Sequence, residues 1–125
     1  MFTSSSWRVF YVGLSLWVAG TLILRVAGQR ILHPDHPLQT AGLYLASFIL
    51  MAFFAPRIFR RMGLSCDQWP RAVTLLILPT LILDACSCAC FAAFFQNIDP
   101  SAAGIFGGWM LICCGGAVTG VWRQA

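Results

Sequence analysis

The sequence predicts an all-α membrane protein, four transmembrane helices in a small up-down bundle with both termini on the inner side. Three observations predict it. Of 125 residues, 59% are hydrophobic and 10% charged, against about 25% charged in a soluble domain. A soluble chain this short could not bury so much apolar surface, and the mean hydropathy is +0.79. The apolar residues fall into four runs of near-spanning length, and the arginines gather at the ends of those runs.

The first span is expected over residues 9–28. Its apolar core, Val9 to Leu24, is slightly short for a bilayer, and Arg25 fits if its side chain snorkels to the interface. A cleaved signal peptide ending in the small residues Val26-Ala27-Gly28 is the alternative. Further apolar runs follow it, which favours a span. His33-Pro34-Asp35-His36-Pro37 is a turn, because two prolines in so short a stretch stop a helix. Two histidines beside one aspartate in that turn are read as interfacial residues rather than metal ligands.

The second span covers 38–55, with Pro56 expected to close it. The loop that follows holds Arg57, Arg60, Arg61 and Arg71. The third span covers 72–95 and the fourth 102–122. Between them Asp99-Pro100 reads as a helix N-cap followed by proline at the first helical position. Trp122 and Arg123 close the last run as interfacial anchors. Four spans put Arg8, Arg57, Arg60, Arg61, Arg71 and Arg123 on one side and Arg25 and Arg30 on the other. By the positive-inside rule this orients the chain N-in and C-in. The whole chain, 1–125, reads as one integral membrane domain without an internal repeat.

The third span carries the most unusual residue. Asp84 lies well inside an apolar run, where an acid costs about 2.5–3.5 kcal/mol on insertion scales. Thr80, Asp84, Ser87, Cys88 and Phe91 share one helical face, which should look into the bundle. Pro79 should kink the helix just before Asp84. Asp84 could be protonated, could bond Thr21, Ser47 or Trp109 of neighbouring spans, or could pair with Arg25. A structural Arg25–Asp84 pair is the preferred expectation. In the last span Gly104 with Gly108 and Gly116 with Gly120 form small-residue pairs suited to close helix approach, and Gly115 lies near the face of the first pair. The face of Gly104, Gly108, Gly115 and Thr119 is expected to pack within the chain, with a homodimer seam as the other reading.

Five of the six cysteines lie inside apolar runs, where a thiol behaves as a small hydrophobe. The Cys86-x-Cys88-x-Cys90 spacing turns Cys88 away from its neighbours, and thiols in hydrocarbon are poorly ionised. No metal or cofactor site is expected from them. No Ser/His/Asp set and no glycine-rich phosphate loop exists, so the chain is not read as an enzyme. The arginines sit at span ends rather than on a basic aromatic surface, so nucleic acid is not expected as a partner.

Arg25-Val26-Ala27-Gly28-Gln29 after the first span, Leu78-Pro79 with Asp84, then Asn97 and Phe106-Gly107-Gly108-Trp109 opening the last span, form a set of short motifs across most of the chain. In these the sequence resembles a bacterial domain-of-unknown-function family of small four-span membrane proteins. The resemblance implies an inner-membrane protein without an assigned activity, and it links Arg25, Gln29, Asp84, Asn97 and Trp109. The cysteine cluster and the histidine-proline loop lie outside that pattern. Three functional expectations follow. The first is a structural or assembly component, whose partners are the bilayer, a second copy or a larger membrane complex. The second is a small transporter or proton-coupled carrier using Asp84. A membrane thiol oxidoreductase is the third and weakest.

Overall fold

A computed structural model describes residues 4–124. Its long helices are α1 (Ser4–Ile31), α2 (Pro37–Arg61), α3 (Trp69–Ala89) and α5 (Ala103–Gln124), with a single turn, α4 (Phe91–Phe94), between the last two. No strand occurs among the described residues. Four helical stretches, Ser6–Ile31, Pro37–Arg61, Cys66–Ala89 and Pro100–Gln124, are long and apolar enough to cross a membrane. The chain is therefore a small all-α membrane protein of four spans.

The helices alternate in direction, and neighbours in space are not always neighbours in sequence. α1 runs parallel to α3, and α2 runs parallel to α5, while α3 and α5 pack antiparallel in the middle. The start of α1, the loop after α2 and the end of α5 share one end of the bundle. Ser6 and Val9 line a cavity there with Leu64, Asp67 and Arg71. Arg60 Nη2 donates to Gln124 Oε1 at the same end. The six arginines assigned to one side from the sequence lie toward this end, and Arg25 and Arg30 lie toward the other.

Two departures from the sequence expectation have local causes. Pro56 does not close α2. The helix continues through it to Arg61 and ends at Gly63, whose φ of 72° is readily available only to glycine. There Leu64 N donates to Phe59 O and Gly63 N to Arg60 O, the paired bonds of a Schellman motif. Pro56 is tolerated because its missing N–H frees only the carbonyl of Ala52, and α5 supplies a neighbour to that carbonyl: a Cβ built at Gly120 would collide with the Ala52 oxygen. The third apolar run also does not form one helix to Phe95. It breaks at Cys90 (φ −115°, ψ 39°), and α4 then turns Phe91 and Phe95 inward against Phe106. The three rings lie with centroids 5.1 to 5.7 Å apart. Neither glycine nor proline marks this break, so packing of the aromatic rings accompanies it without a local sequence signal.

Pro37 takes the first position of α2 after the proline turn. Asp99 caps the turn before α5 by accepting from Ser101 N at 2.9 Å, as its sequence position suggests. This backbone N–H holds the Asp99 carboxyl below the usual carboxylate range.

The core is divided into two levels. One apolar cluster at the arginine-rich end joins Val9, Phe59, Trp69, Leu76 and Val121 with their neighbours. A second at the opposite end joins Leu24, Leu32, Phe91, Phe95, Ile98 and Phe106. Between them lies a thin polar layer.

Candidate polar site and family relationship

Asp84 is the centre of the polar layer. α3 presents it on the face expected from the sequence: Asp84 is 6% exposed, Ser87 is fully buried, and Cys88 and Thr80 are half-buried. Ser87 Oγ returns to its own helix, donating to Leu83 O at 2.8 Å. Asp84 instead reaches α1, where Trp17 Nε1 donates to its Oδ1 at 2.8 Å. Its second oxygen, Oδ2, is buried and has no hydrogen-bond partner.

The expected Arg25–Asp84 pair is not formed. α1 and α3 are parallel, and Trp17 is the α1 residue level with Asp84. Arg25 lies eight residues further along, about 12 Å at the helical rise of 1.5 Å per residue. It is level with the break after α3, and its Nε donates to Phe94 O at 2.8 Å. Arg25 therefore ties α1 to the end of the third span, through backbone rather than through the acid.

The positions linked by resemblance separate into three groups. Asp84 bonds Trp17 in the polar layer. Trp109 Nε1 donates to Ser47 Oγ at 2.7 Å, tying α5 to α2 rather than to Asp84. Near the far end, Asn97 Nδ2 donates to Gln29 Oε1 at 2.6 Å and to Leu24 O at 2.9 Å. Gln29 and Asn97 are thus joined as expected, and Arg25 bonds the carbonyl of nearby Phe94. Trp17 is the residue that the sequence reading missed. Its signal was its position, since a tryptophan in mid-span is away from the interfacial belt and its buried N–H needs an acceptor.

Asp84 also lines a cleft of about 180 Å³ between α3 and α5, together with Leu81, Ala85, Cys88, Gly107, Met110 and Leu111. Its lining is apolar apart from the acid and the sulfur atoms. Gly107 keeps it narrow without closing it: a Cβ there would stand 3.1 Å from Cys88 Sγ. Cys86 and Cys90 are exposed on the bundle surface, and all six cysteines are free thiols. Among the described residues no group of three or more His, Cys, Asp or Glu side chains is arranged to hold a metal ion.

The glycines of α5 that pack closely within the chain follow a different line from the expected face of Gly104, Gly108, Gly115 and Thr119. Gly108, Gly116 and Gly120 meet Tyr44, Phe48 and Ala52, which recur at four-residue intervals on α2. A Cβ at Gly116 would lie 2.5 Å from Phe48 O, so the backbones touch there. Tyr44 Oη donates to Ile105 O at 2.8 Å and extends the same seam. Gly115 only grazes the Phe48 ring at 3.8 Å, Gly104 has nothing within 4 Å, and Thr119 is exposed. α2 of the same chain therefore occupies the close-packing glycines, and a homodimer would use another face.

Among known proteins, one family model matches residues 31–124, from the last residue of α1 to the end of α5. Asp84 and the cleft fall within the match, while Trp17 and Arg25 precede it. No curated protein and no solved structure matches the chain. With most of its length matched, the chain belongs to a family of unknown function, DUF5367.

Proposed function

We propose that the protein is a small carrier in a cell membrane, with Asp84 as its loading site. One observation supports this reading above the others: the buried Oδ2 of Asp84 has no partner and the side chain lines an open cleft. An acid held at mid-membrane for structure alone would be expected to spend both oxygens on neighbouring helices. Here Trp17 fixes one oxygen and orients the carboxyl, while the other is unmatched, on a side chain that lines a cleft a ligand could enter.

The chemistry of the cleft defines what fits. A carboxylate with one unmet oxygen and apolar walls satisfies its charge with a proton or with a small lipophilic cation. A bare, unpaired anion at this depth is costly, so the two ligands exchange for one another at the same oxygen. That exchange is the elementary step of proton-coupled counterflow. Leu81, Met110 and Leu111 would contact the apolar groups of the cation, and Trp17 would hold the carboxyl in place throughout.

The test is a flux assay in proteoliposomes with tetraethylammonium as the probe cation and an imposed pH gradient. The expected result is gradient-driven uptake that Asp84→Asn abolishes. Unchanged flux in Asp84→Asn excludes Asp84 as the coupling group. Absence of tetraethylammonium and proton flux in wild-type liposomes removes the carrier reading and leaves an assembly role, in which the protein works by binding a membrane partner.

A further inference from the structure

At the arginine-rich end, a second open groove runs between α2 and α5, on the far side of the glycine seam from the Asp84 cleft. It has a volume of about 360 Å³, with walls that include Phe48, Ile49 and Phe53 of α2 and Thr119 and Arg123 of α5. The close approach of Ala52 and Gly120 forms its floor. The groove is apolar along its length apart from Thr119, whose hydroxyl is turned back to Gly115 O, and becomes charged at its end, where Arg123 and Gln124 line it.

Arg123 is the charged residue that lines the groove at that end. Arg123 is exposed and makes no hydrogen bond or ion pair with the described residues. Gln124 beside it accepts from Arg60 Nη2, and the Arg60 guanidinium lies 5.7 Å from the centre of the Trp69 ring. No acidic side chain lines the groove.

We propose that this groove binds one anionic phospholipid from the leaflet at the arginine-rich end, with an acyl chain along Phe48, Ile49 and Thr119 and the phosphate on Arg123. The complementarity is twofold. An apolar slot open to the bilayer accepts a hydrocarbon chain, and a guanidinium at its mouth can donate two N–H groups to phosphate oxygens. Basic pockets between transmembrane helices at an anionic leaflet bind headgroups by the same electrostatics. A free phosphate would use only the mouth, and a zwitterionic lipid would use the slot with its charge balanced by its own amine. The bound lipid would brace the α2–α5 seam at the point where the Ala52 carbonyl, freed by Pro56, rests on Gly120.

The experiment is native mass spectrometry of the purified protein released from detergent, titrated separately with phosphatidylglycerol, phosphatidylcholine and sn-glycerol 3-phosphate. The expected result is one saturable phosphatidylglycerol adduct that the other two ligands do not reproduce at the same concentration. Arg123→Gln should weaken that adduct by about fivefold, the effect of one basic residue near the headgroup. Thr119→Trp, at an exposed position that fills the slot, should weaken it as well. Arg30→Gln removes the same charge at the opposite end and should leave the adduct unchanged. Equal binding of phosphatidylcholine shows that the charge is not read and overturns the proposal, as does full binding of sn-glycerol 3-phosphate. Equal losses in Arg123→Gln and Arg30→Gln would reduce the effect to net charge and also overturn it. So would an unchanged adduct in Thr119→Trp.

Discussion

Replacing Trp17 by Phe should destabilise the protein through Asp84, and the size of the effect can be worked from the geometry. The indole N–H donates to Oδ1 at 2.8 Å, a length in the range of charge-assisted bonds. Oδ2 has no partner already, so losing Trp17 leaves the whole carboxyl unsatisfied. An orphaned buried group costs about 1–3 kcal/mol in water-soluble proteins. Interhelical bonds in membranes average about 0.6 and reach about 1.7 kcal/mol, because the reference state finds other partners. The absence of any second bond places this one near the upper membrane value, about 1.5 kcal/mol, or roughly tenfold in the unfolding equilibrium. Trp17→Phe also removes packing volume, which a double-mutant cycle subtracts. Trp17→Phe, Asp84→Leu and the double variant are compared with wild type by equilibrium unfolding in mixed dodecyl maltoside and SDS micelles. Trp17→Phe should cost more in the wild-type background than in the Asp84→Leu background, by the coupling energy above. Additivity to within about 0.3–0.5 kcal/mol would refute the claim that Trp17 acts on Asp84.

Three other outcomes are expected. Gly120→Val should cost about 1–3 kcal/mol by overpacking, since its side chain meets the Ala52 carbonyl, whereas Gly104→Ala, with nothing within 4 Å, should be silent; equal losses at the two sites in the same unfolding assay would show that the seam is misplaced. Cys66 is exposed in the loop at the arginine-rich end, so an impermeant maleimide should modify it only in vesicles that present that end, and labelling from both sides would contradict a single N-in orientation. Asp99 has its carboxyl lowered by the Ser101 N–H. A lowered folded value means that the cap's contribution is present above the unfolded value and is lost as pH falls through the folded one. The Ser101 amide resonance should therefore titrate with a midpoint below that of an unperturbed aspartate, and a midpoint at or above the unperturbed one would show that the cap bond is absent.

Much of the architecture was legible because bilayer chemistry is written in composition. Each span needs a long apolar run, and the hydrogen-bond demands of lipid leave helices as its form. The inward face of α3 was also legible, because a polar residue in mid-span has few other places to go. The ends of elements were harder to read. Pro56 looked like a stop, yet the cost of its missing N–H depends on what stands beside the Ala52 carbonyl, and Gly120 stands there from another helix. Cys90 looked like mid-helix, and the break there accompanies the inward packing of Phe91 and Phe95 on Phe106.

The site was legible in its acid and not in its partner. Asp84 is conspicuous because charge is rare at that depth. Its neighbour depends on which helices lie side by side and at what relative height. A sequence gives the order of spans but not that α1 runs along α3 with Trp17 level with Asp84, and so the charge argument pointed to Arg25. By itself, then, the sequence determined the solvent, the number of spans, the charged end and the one residue that needs explanation, since these follow from transfer free energies summed along the chain. Only the tertiary structure decided that an indole holds one oxygen, that a backbone carbonyl takes the arginine, and that the acid lines a cleft. Those depend on the relative height and pairing of helices far apart in sequence, set by close contacts such as Gly13 on Leu76 and Gly116 on Phe48.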